Sequence, residues 1–190
     1  MTRATASQLL DAAQRLVQQR GFNAFSYKDL ATAVGIRTAS IHYHFPAKAD
    51  LGQALMARYR ADLDAALADI DTRQRTQRSR LRAFIGLYKA TQDEGAICLC
   101  GSLASDLATL PETIHGEVAS YLETSEGWLR ARLEDGVAAG EFRLGTSAAR
   151  TAASLLASLQ GALILARAQG DGTQALRDVE ATFLASLLEA

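Results

Sequence analysis

The sequence of 190 residues contains few of the residues that break helices or cross-link chains: two prolines, two cysteines and one tryptophan. Proline inside a helix removes a backbone hydrogen bond and clashes with the preceding turn, so its scarcity allows long helices. Hydrophobic residues make up 48% of the chain, and the commonest of them, alanine and leucine, favour helices. The composition therefore predicts a mostly helical globular protein.

The sequence also lacks the features of secretion and membrane insertion. It has no apolar run of about 18 residues, the length that spans a bilayer, and its N-terminus is polar where a signal peptide would be apolar. Cys98 and Cys100 are separated by one residue, so a disulfide between them would be strained. We expect a cytoplasmic protein with reduced thiols and no membrane partner.

Signatures of catalysis and of metal binding are missing as well. The sequence shows no glycine-rich phosphate loop, no paired histidine ligands on a helix and no nucleophile with a nearby base. The Cys-x-Cys pair and the distant His115 supply too few ligands for a closed zinc site. We expect no enzyme activity, no metal and no cofactor, and a helical enzyme is only a remote alternative.

Charge is distributed unevenly, although the net charge is only −1. Residues 1–60 carry eight basic and three acidic residues, a net charge of +5, whereas the rest of the chain carries twelve basic and eighteen acidic residues, a net charge of −6. Local positive charge attracts phosphates. A basic head on an acidic body indicates that only the N-terminal part meets nucleic acid.

The segment from Tyr27 to Leu51 has the pattern of a helix-turn-helix. Ser26 is a good N-cap for a first short helix, and Gly35 suits the left-handed position that ends it. A second short helix is predicted over Thr38–His44, with Ile41 directed to the core. The opposite face of this second helix displays hydrogen-bonding side chains, and a helix of this width fits the major groove of B-DNA.

The same residues resemble the head motif of the TetR/AcrR family of transcriptional regulators. The matching residues are Asp29-Leu30-Ala31, Val34-Gly35-Ile36, Ala39-Ser40-Ile41-His42-Tyr43-His44-Phe45, Lys48 and Leu51. The resemblance covers about the first fifty residues. It implies an all-α fold with a three-helix DNA-binding head at 1–50 and a helical body at 51–190 that binds a ligand and dimerises, joined by a connector helix over about 47–70.

Ten residues of the head are predicted to form its DNA-binding surface: Tyr27, Lys28, Arg37, Thr38, Ala39, Ser40, His42, Tyr43, His44 and Lys48. The predicted base contacts are Thr38, Ser40 and Tyr43, and the predicted phosphate contacts are Tyr27, His42, His44 and Lys48. Lys48 begins the connector helix, where a lysine and a helix N-terminus together predict a phosphate clamp. Arg37 replaces the usual serine or threonine cap of the family, and His42 replaces a frequent tyrosine.

In the body, apolar spacing predicts helices over about 81–93, 111–139, 147–168 and 173–188, and the polar, basic segment 71–80 predicts a solvated hinge. A small-molecule pocket between helices needs apolar and aromatic side chains with a few polar groups. The candidate lining residues are Phe84, Tyr88, Cys98, Leu103, Leu107, His115, Tyr121 and Trp128. Core packing is the alternative explanation for Trp128.

Cys98 and Cys100 allow an alternative sensing mechanism. A thiol near a helix N-terminus has a lowered pKa and reacts with oxidants or electrophiles, and some regulators of the family that this chain resembles use a cysteine in an equivalent position. Of the two thiols, Cys98 is the preferred candidate for a sensor. No basic residue lies nearby in sequence, however, and buried cysteines are commonly structural, so we favour two structural cysteines.

The last two helices contain more large apolar residues than one face can bury, which indicates a partner surface. The candidate interface residues are Leu155, Leu159, Leu163, Phe183 and Leu187. In the family that the chain resembles, this helix pair packs against its twin, and a dimer lets two heads read major grooves about 34–36 Å apart.

Together these observations predict a dimeric, ligand-responsive transcriptional regulator. In its expected form it is a repressor that a small-molecule inducer releases from a near-palindromic, double-stranded DNA operator. The inducer would favour a spacing of the heads that no longer matches the operator. A thiol-sensing repressor is the alternative within the same class.

Overall fold

The computed structural model of the chain describes residues 3–169 and 173–187. Within these ranges the protein is helical without strands, which confirms the predicted all-α class. The helices are α1 (Arg3–Arg20), α2 (Tyr27–Val34), α3 (Thr38–His44), α4 (Lys48–Arg73), α5 (Gln77–Asp93), α6 (Leu99–Asp106), α7 (Glu112–Ala138), α8 (Ala148–Gln169) and α9 (Thr173–Ser186), with one 3-10 turn over Leu107–Thr109 after α6.

The described residues divide into two compact units. The head unit consists of the residues up to Asp62 together with Leu99–Tyr121, and the body unit consists of Leu63–Cys98 together with the residues from Leu122 onward. The head unit therefore contains α6, the 3-10 turn and the start of α7 in addition to the predicted segment 1–50. Residues of α4 belong to both units, as expected of a connector helix.

The core of the head unit is built from one apolar face of each helix. The residues with no exposed surface include Leu9 and Val17 of α1, Leu30 of α2, Ile41 of α3, Leu51 and Leu55 of α4, and Leu103 and Ile114. Phe22 and Phe25, in the loop between α1 and α2, are also buried and pack edge to face with their ring centroids 5.9 Å apart. The two phenylalanines therefore fill part of the core of the head.

The body unit contains a polar cluster that corrects the predicted hinge at 71–80. Asp71 accepts hydrogen bonds from Trp128 Nε1 at 3.0 Å and from Arg132 at 2.8 Å, and it pairs with Arg80 at 3.6 Å. The segment is not a solvated hinge, because α4 continues to Arg73 and a capping box at Thr76 starts α5 only three residues later. Asp71 therefore pairs both within the segment, with Arg80, and with Arg132 of α7.

Candidate nucleic-acid interface

The first helix of the predicted helix-turn-helix, α2, begins at a capping box. The Ser26 hydroxyl accepts a hydrogen bond from the Asp29 amide at 3.3 Å, and the Asp29 carboxylate accepts one from the Ser26 amide at 2.7 Å. The hydrogen bonds from Ser26 lower the pKa of Asp29 below its usual range. The box satisfies amides that a helix start leaves unpaired, so the first turn of α2 is fixed in place.

The turn between α2 and α3 depends on Gly35, whose φ is +75°. In this left-handed conformation the amides of Gly35 and Ile36 both donate to the Ala31 carbonyl, at 2.9 and 3.0 Å, and the helix ends. Arg37 then occupies the N-cap of α3 but makes no side-chain capping hydrogen bond. Its guanidinium is exposed beside the start of α3.

Helix α3 divides sharply between a buried side and a solvent-facing side. Ile41 is completely buried, whereas Tyr43 is 71% exposed. Arg37, Ala39 and His42 are exposed as well, and Thr38, Ser40 and His44 are partly exposed. The structure therefore brings these predicted contact residues together on or beside one short helix, and Lys28 lies exposed on α2.

Tyr27 has a different role from the predicted phosphate contact. Its ring is buried, and its hydroxyl donates a hydrogen bond to the Phe45 carbonyl at 2.9 Å. Burial, assisted by the nearby Asp50 carboxylate, raises the pKa of Tyr27 to about 12. The hydroxyl thus connects the start of α2 to the end of α3, and we assign Tyr27 to the structure of the head.

The Lys48 ammonium is also used inside the head. It donates to the Phe22 carbonyl at 2.6 Å and to the Phe25 carbonyl, and it lies 4.7 and 4.1 Å from the centroids of the same two rings. Burial lowers the pKa of Lys48, and the Asp106 and Asp29 carboxylates oppose this shift. In this arrangement the ammonium is directed to the protein backbone, and the phosphate clamp stays a prediction.

The part that Asp106 plays in holding the loop between α1 and α2 was not predicted from the sequence. The Asp106 carboxylate accepts hydrogen bonds from the amides of Phe22 and Asn23, at 2.9 and 3.3 Å. Asp106 lies 84 residues from Phe22, and no local motif signals a contact over that separation.

The residues predicted to line one ligand pocket fall into two groups. In the head unit, Leu103 and Tyr121 are buried, Leu107 is partly exposed, and His115 Nε2 lies 2.7 Å from the Leu107 carbonyl oxygen. In the body unit, Phe84, Tyr88 and Cys98 are buried, and Trp128 stacks on Phe84 at 5.5 Å between centroids. The shared pocket stays a prediction.

The two cysteines are buried, with 3% of Cys98 and none of Cys100 exposed, and they do not form a disulfide. Cys100 Sγ lies 3.6 Å from the Val118 carbonyl oxygen as a donor. A reagent in solution would reach neither thiol without local opening. The geometry favours the structural interpretation over thiol sensing.

The predicted interface leucines require a correction. Leu155, Leu159, Leu163 and Leu187 are at most 1% exposed within the chain itself, so they belong to its own core. Phe183 is only partly exposed and lines an open groove of about 760 Å³ between α8 and α9. The large apolar side chains that α8 does expose are Ile164, at 54%, and Leu165, at 55%.

Comparison with known proteins agrees with this geometry. Residues 9–55 match the family "Bacterial regulatory proteins, tetR family", and residues 77–183 match "Tetracyclin repressor-like, C-terminal domain". The transcriptional repressor KstR2 of Rhodococcus jostii is 28% identical over 142 residues, which cover 72% of this chain and 67% of KstR2.

Solved structures of TetR-family regulators are similar to this chain over nearly its full length. A transcriptional regulator of the TetR family from Agrobacterium tumefaciens is 34% identical with a TM-score of 0.93, and the alignment covers 98% of both chains. A TetR transcriptional regulator from Legionella pneumophila is 32% identical with a TM-score of 0.88, again with 98% of both chains covered.

The role assigned to Tyr27 predicts the effect of removing its hydroxyl. Tyr27→Phe leaves the Phe45 carbonyl without its donor, so we expect the free energy of unfolding in urea to fall by about 1 kcal/mol at neutral pH. Because the folded pKa is raised to about 12, the contribution of Tyr27 is fully present below about pH 10, the ordinary tyrosine pKa, and is lost as the pH rises through the folded pKa. Between about pH 10 and pH 12, the free energy of unfolding should therefore fall less in Tyr27→Phe than in the wild-type protein.

Tyr43→Phe is the matched control, since Tyr43 is 71% exposed and its hydroxyl should contribute little to folding. Equal unfolding free energies for the two variants would contradict the structural role of Tyr27.

Proposed function

The chain belongs to the TetR family of bacterial regulatory proteins, and on this premise we propose that it is a cytoplasmic repressor that binds a near-palindromic operator as a homodimer. As a member of the family it is a ligand-responsive, DNA-binding transcriptional regulator. We further propose that a small molecule bound in the body releases it from DNA, by favouring a head arrangement with lower affinity for the operator.

The observation that carries the proposal is the two-sided character of α3. Ile41 anchors the helix in the core, and the opposite side presents hydroxyl, imidazole and phenol groups to solvent. An α-helix fits the major groove, where base edges present distinct patterns of donors and acceptors. Helix α3 contains no Asp, Glu, Lys or Arg, so neutral hydroxyl and phenol groups and the imidazoles are the hydrogen-bonding side chains that it presents.

The contacts can be divided by chemistry. Thr38, Ser40 and Tyr43 are suited to base edges, and the Ala39 methyl group is suited to a thymine methyl. For phosphates we propose Arg37 and Lys28, whose charged groups are exposed at the start of α3 and on α2, together with His42 and His44. Tyr27 is left out of this set because its hydroxyl is bonded inside the head. Lys48, which is partly exposed at the start of α4, stays in it.

A homodimer is supported by the outer surface of α8. No charged residue occurs between Arg150 and Arg167, and only 33% of the most apolar stretch of α8 is buried within the chain. By length and composition alone α8 could cross a membrane. A second copy accounts for the uncovered apolar surface equally well and agrees with the rest of the fold.

The same surface has the self-complementary form that a twofold interface needs. Ile164 and Leu165 project near the end of α8, and the open groove begins near its start, where small Ser154 and Ser158 line it. In a twofold dimer each copy offers the same patch to the other, so projecting side chains of one copy can fill the groove of its partner. Two heads are also needed, because one seven-residue α3 reads only a few base pairs.

The first test concerns DNA contact by Tyr43. On a duplex that the wild-type protein selects from a random pool, we expect Tyr43→Ala to weaken binding by about 10- to 100-fold, the range expected when one good base contact is lost. Thermal unfolding should not change, because the side chain is mostly exposed. Thr72→Ala removes an exposed hydroxyl from the body unit and should bind like wild type. Unchanged affinity of Tyr43→Ala would contradict the proposed surface.

The second test concerns the dimer. We expect wild-type protein to sediment at about twice the chain mass of 20.3 kDa, and the double variant Ile164→Glu, Leu165→Glu to sediment as a single chain, because four buried carboxylates would meet at a twofold interface. The double variant Ala61→Glu, Ala65→Glu adds the same two charges at exposed alanines of α4 and should remain dimeric. A double variant that keeps the wild-type mass would place the interface elsewhere.

A further inference from the structure

His42, near the end of α3, is tied to the turn that follows the helix. Its imidazole Nδ1 lies 3.1 Å from the carbonyl oxygen of Pro46. A carbonyl oxygen can only accept a hydrogen bond, so Nδ1 carries the proton in this contact. When the ring is neutral, its other nitrogen, Nε2, therefore has a lone pair and no proton.

A second contact holds the imidazole in this orientation. The Tyr27 ring packs edge to face against it, with ring centroids 4.8 Å apart, and the Tyr27 hydroxyl is itself bonded to the Phe45 carbonyl. Two consecutive carbonyls of the turn thus accept hydrogen bonds from Tyr27 and from His42. A half-turn of the imidazole would put a carbon atom in the place of Nδ1, so the hydrogen bond fixes which nitrogen faces away from the turn.

The nitrogen that faces away from the turn is open to a partner. His42 is exposed, and its Nε2 forms no hydrogen bond within the part of the chain that the structure describes. The Pro46 carbonyl to which the ring is bonded lies shortly before Lys48, the first residue of α4. The ring therefore lies at the edge of the proposed DNA surface, near the helix N-terminus where a phosphate contact is predicted, and this position favours a phosphate over a base edge as the partner of Nε2.

Only the protonated imidazole suits a phosphate in this orientation. Phosphate oxygens accept hydrogen bonds, and the lone pair of a neutral Nε2 is an acceptor as well, so the two repel. Protonation puts an N–H group and a positive charge at Nε2. A hydrogen bond between charged partners is about twice as strong as a neutral one. The bond from Nδ1 to the Pro46 carbonyl is kept, so the ring does not have to move.

The charged and titratable groups of the neighbouring helices belong to α2 and α4. Tyr27 contacts the ring, but burial raises its pKa to about 12, so it stays neutral below about pH 10. Lys28 is exposed beside it on α2. In α4, the Asp50 carboxylate lies near Tyr27, whose pKa it helps to raise, and burial lowers the pKa of Lys48. Because Lys48 would lose its charge at alkaline pH, the experiments stay at or below about pH 8.

On α3 itself the other titratable side chains are Tyr43 and His44, whose rings pack against each other at 5.3 Å between centroids. His44 Nε2 is buried and has no hydrogen-bond partner among the residues that the structure describes. It therefore differs from His42 Nε2, which is directed to solvent. Of the two imidazoles of α3, His42 is the one whose second nitrogen can meet DNA.

We propose that DNA binding by this protein is coupled to protonation of His42: the imidazolium donates from Nε2 to a phosphate, and each head takes up one proton from solvent when it binds. Histidine is the side chain that ordinarily changes its charge between pH 5 and 8. Because DNA favours the protonated ring, protonation in turn favours DNA, and affinity for the operator rises as the pH falls. The coupling rests on the proposed DNA-binding function, whereas the location of the proton on the neutral ring does not.

The first experiment determines the tautomer in full-length protein without DNA. The nitrogen chemical shifts of the imidazoles, measured by NMR at about pH 8.5, should show a protonated Nδ1 and an unprotonated Nε2 in His42. His115 is an internal control with the opposite expectation, because its Nε2 lies 2.7 and 3.0 Å from the carbonyl oxygens of Leu107 and Leu110 and must carry the proton. A neutral His42 with its proton on Nε2 would overturn the proposal.

The second experiment measures affinity for the selected duplex between about pH 5.5 and about pH 8 at constant salt. Wild-type affinity should fall by about tenfold for each head over this range, as expected when one hydrogen bond to a charged group is lost. His42→Phe keeps a ring against Tyr27 without a donor, so it should bind like wild type at about pH 8 and show little dependence on pH. His42→Arg keeps a charge at every pH and should bind at about pH 8 as wild type binds at about pH 5.5.

Two outcomes of this titration would reject the coupling. A pH dependence in His42→Phe as steep as in wild type would assign the proton to another group. Affinity that rises with pH would show that a neutral Nε2 accepts a hydrogen bond from a base amino group. Circular dichroism at each pH checks folding. If His42→Phe does not fold, His42→Tyr replaces it, because a hydroxyl that does not titrate in this range should also remove the pH dependence.

The third experiment tests whether the proton meets a phosphate. Each phosphate contact contributes about 0.9 to the slope of the logarithm of affinity against the logarithm of salt concentration. The magnitude of the wild-type slope should therefore be larger at about pH 5.5 than at about pH 8, by about 0.9 for each head, and the slope of His42→Phe should not change with pH. Equal wild-type slopes at the two pH values would reject the phosphate contact. If wild type selects no duplex, the proposed function fails and the coupling with it, while the first experiment still decides the tautomer.

Discussion

The presentation of a seven-residue helix to solvent is the constraint on which the head depends. A helix as short as α3 is not stable alone in water, because the entropy lost in nucleating a helix exceeds the free energy gained from two turns of hydrogen bonds. The protein holds it by burying Ile41, by ending α2 in a left-handed glycine, and by bonding the Tyr27 hydroxyl to the Phe45 carbonyl. Only with these attachments can the other side of α3 remain polar and exposed for recognition.

Local sequence signals predicted this arrangement well. The serine cap, the glycine turn and the spacing around Ile41 act within a few residues, and α3 begins and ends where the pattern indicated. The family resemblance supplied the rest of the architecture. The role of Tyr27 was predicted incorrectly, because residue type shows that a side chain can bind phosphate but not that a backbone carbonyl has already taken its donor. The phosphate contact of Lys48 stays a prediction.

Contacts between distant parts of the chain were beyond prediction from the sequence. Asp106 reaches the loop after α1, and Asp71 receives Arg80 and Arg132 from two other helices. Neither carboxylate lies in a motif. Apolar spacing on α8 likewise indicated buried leucines, but it could not distinguish burial inside the chain from burial against a partner. The structure does so: Leu159 is internal, and Ile164 and Leu165 are exposed.

The head holds its recognition helix through neighbouring contacts, and the uncharged stretch of α8 suits a second copy. Two such helices are therefore expected to read one duplex. The most direct measurement is the sequence and stoichiometry of DNA selected from a random pool by the purified protein. The account predicts an inverted repeat, with half-sites about 10–10.5 base pairs apart or a multiple of that spacing, and two or another even number of chains per duplex. No enrichment, or a single half-site bound by one chain, would contradict it.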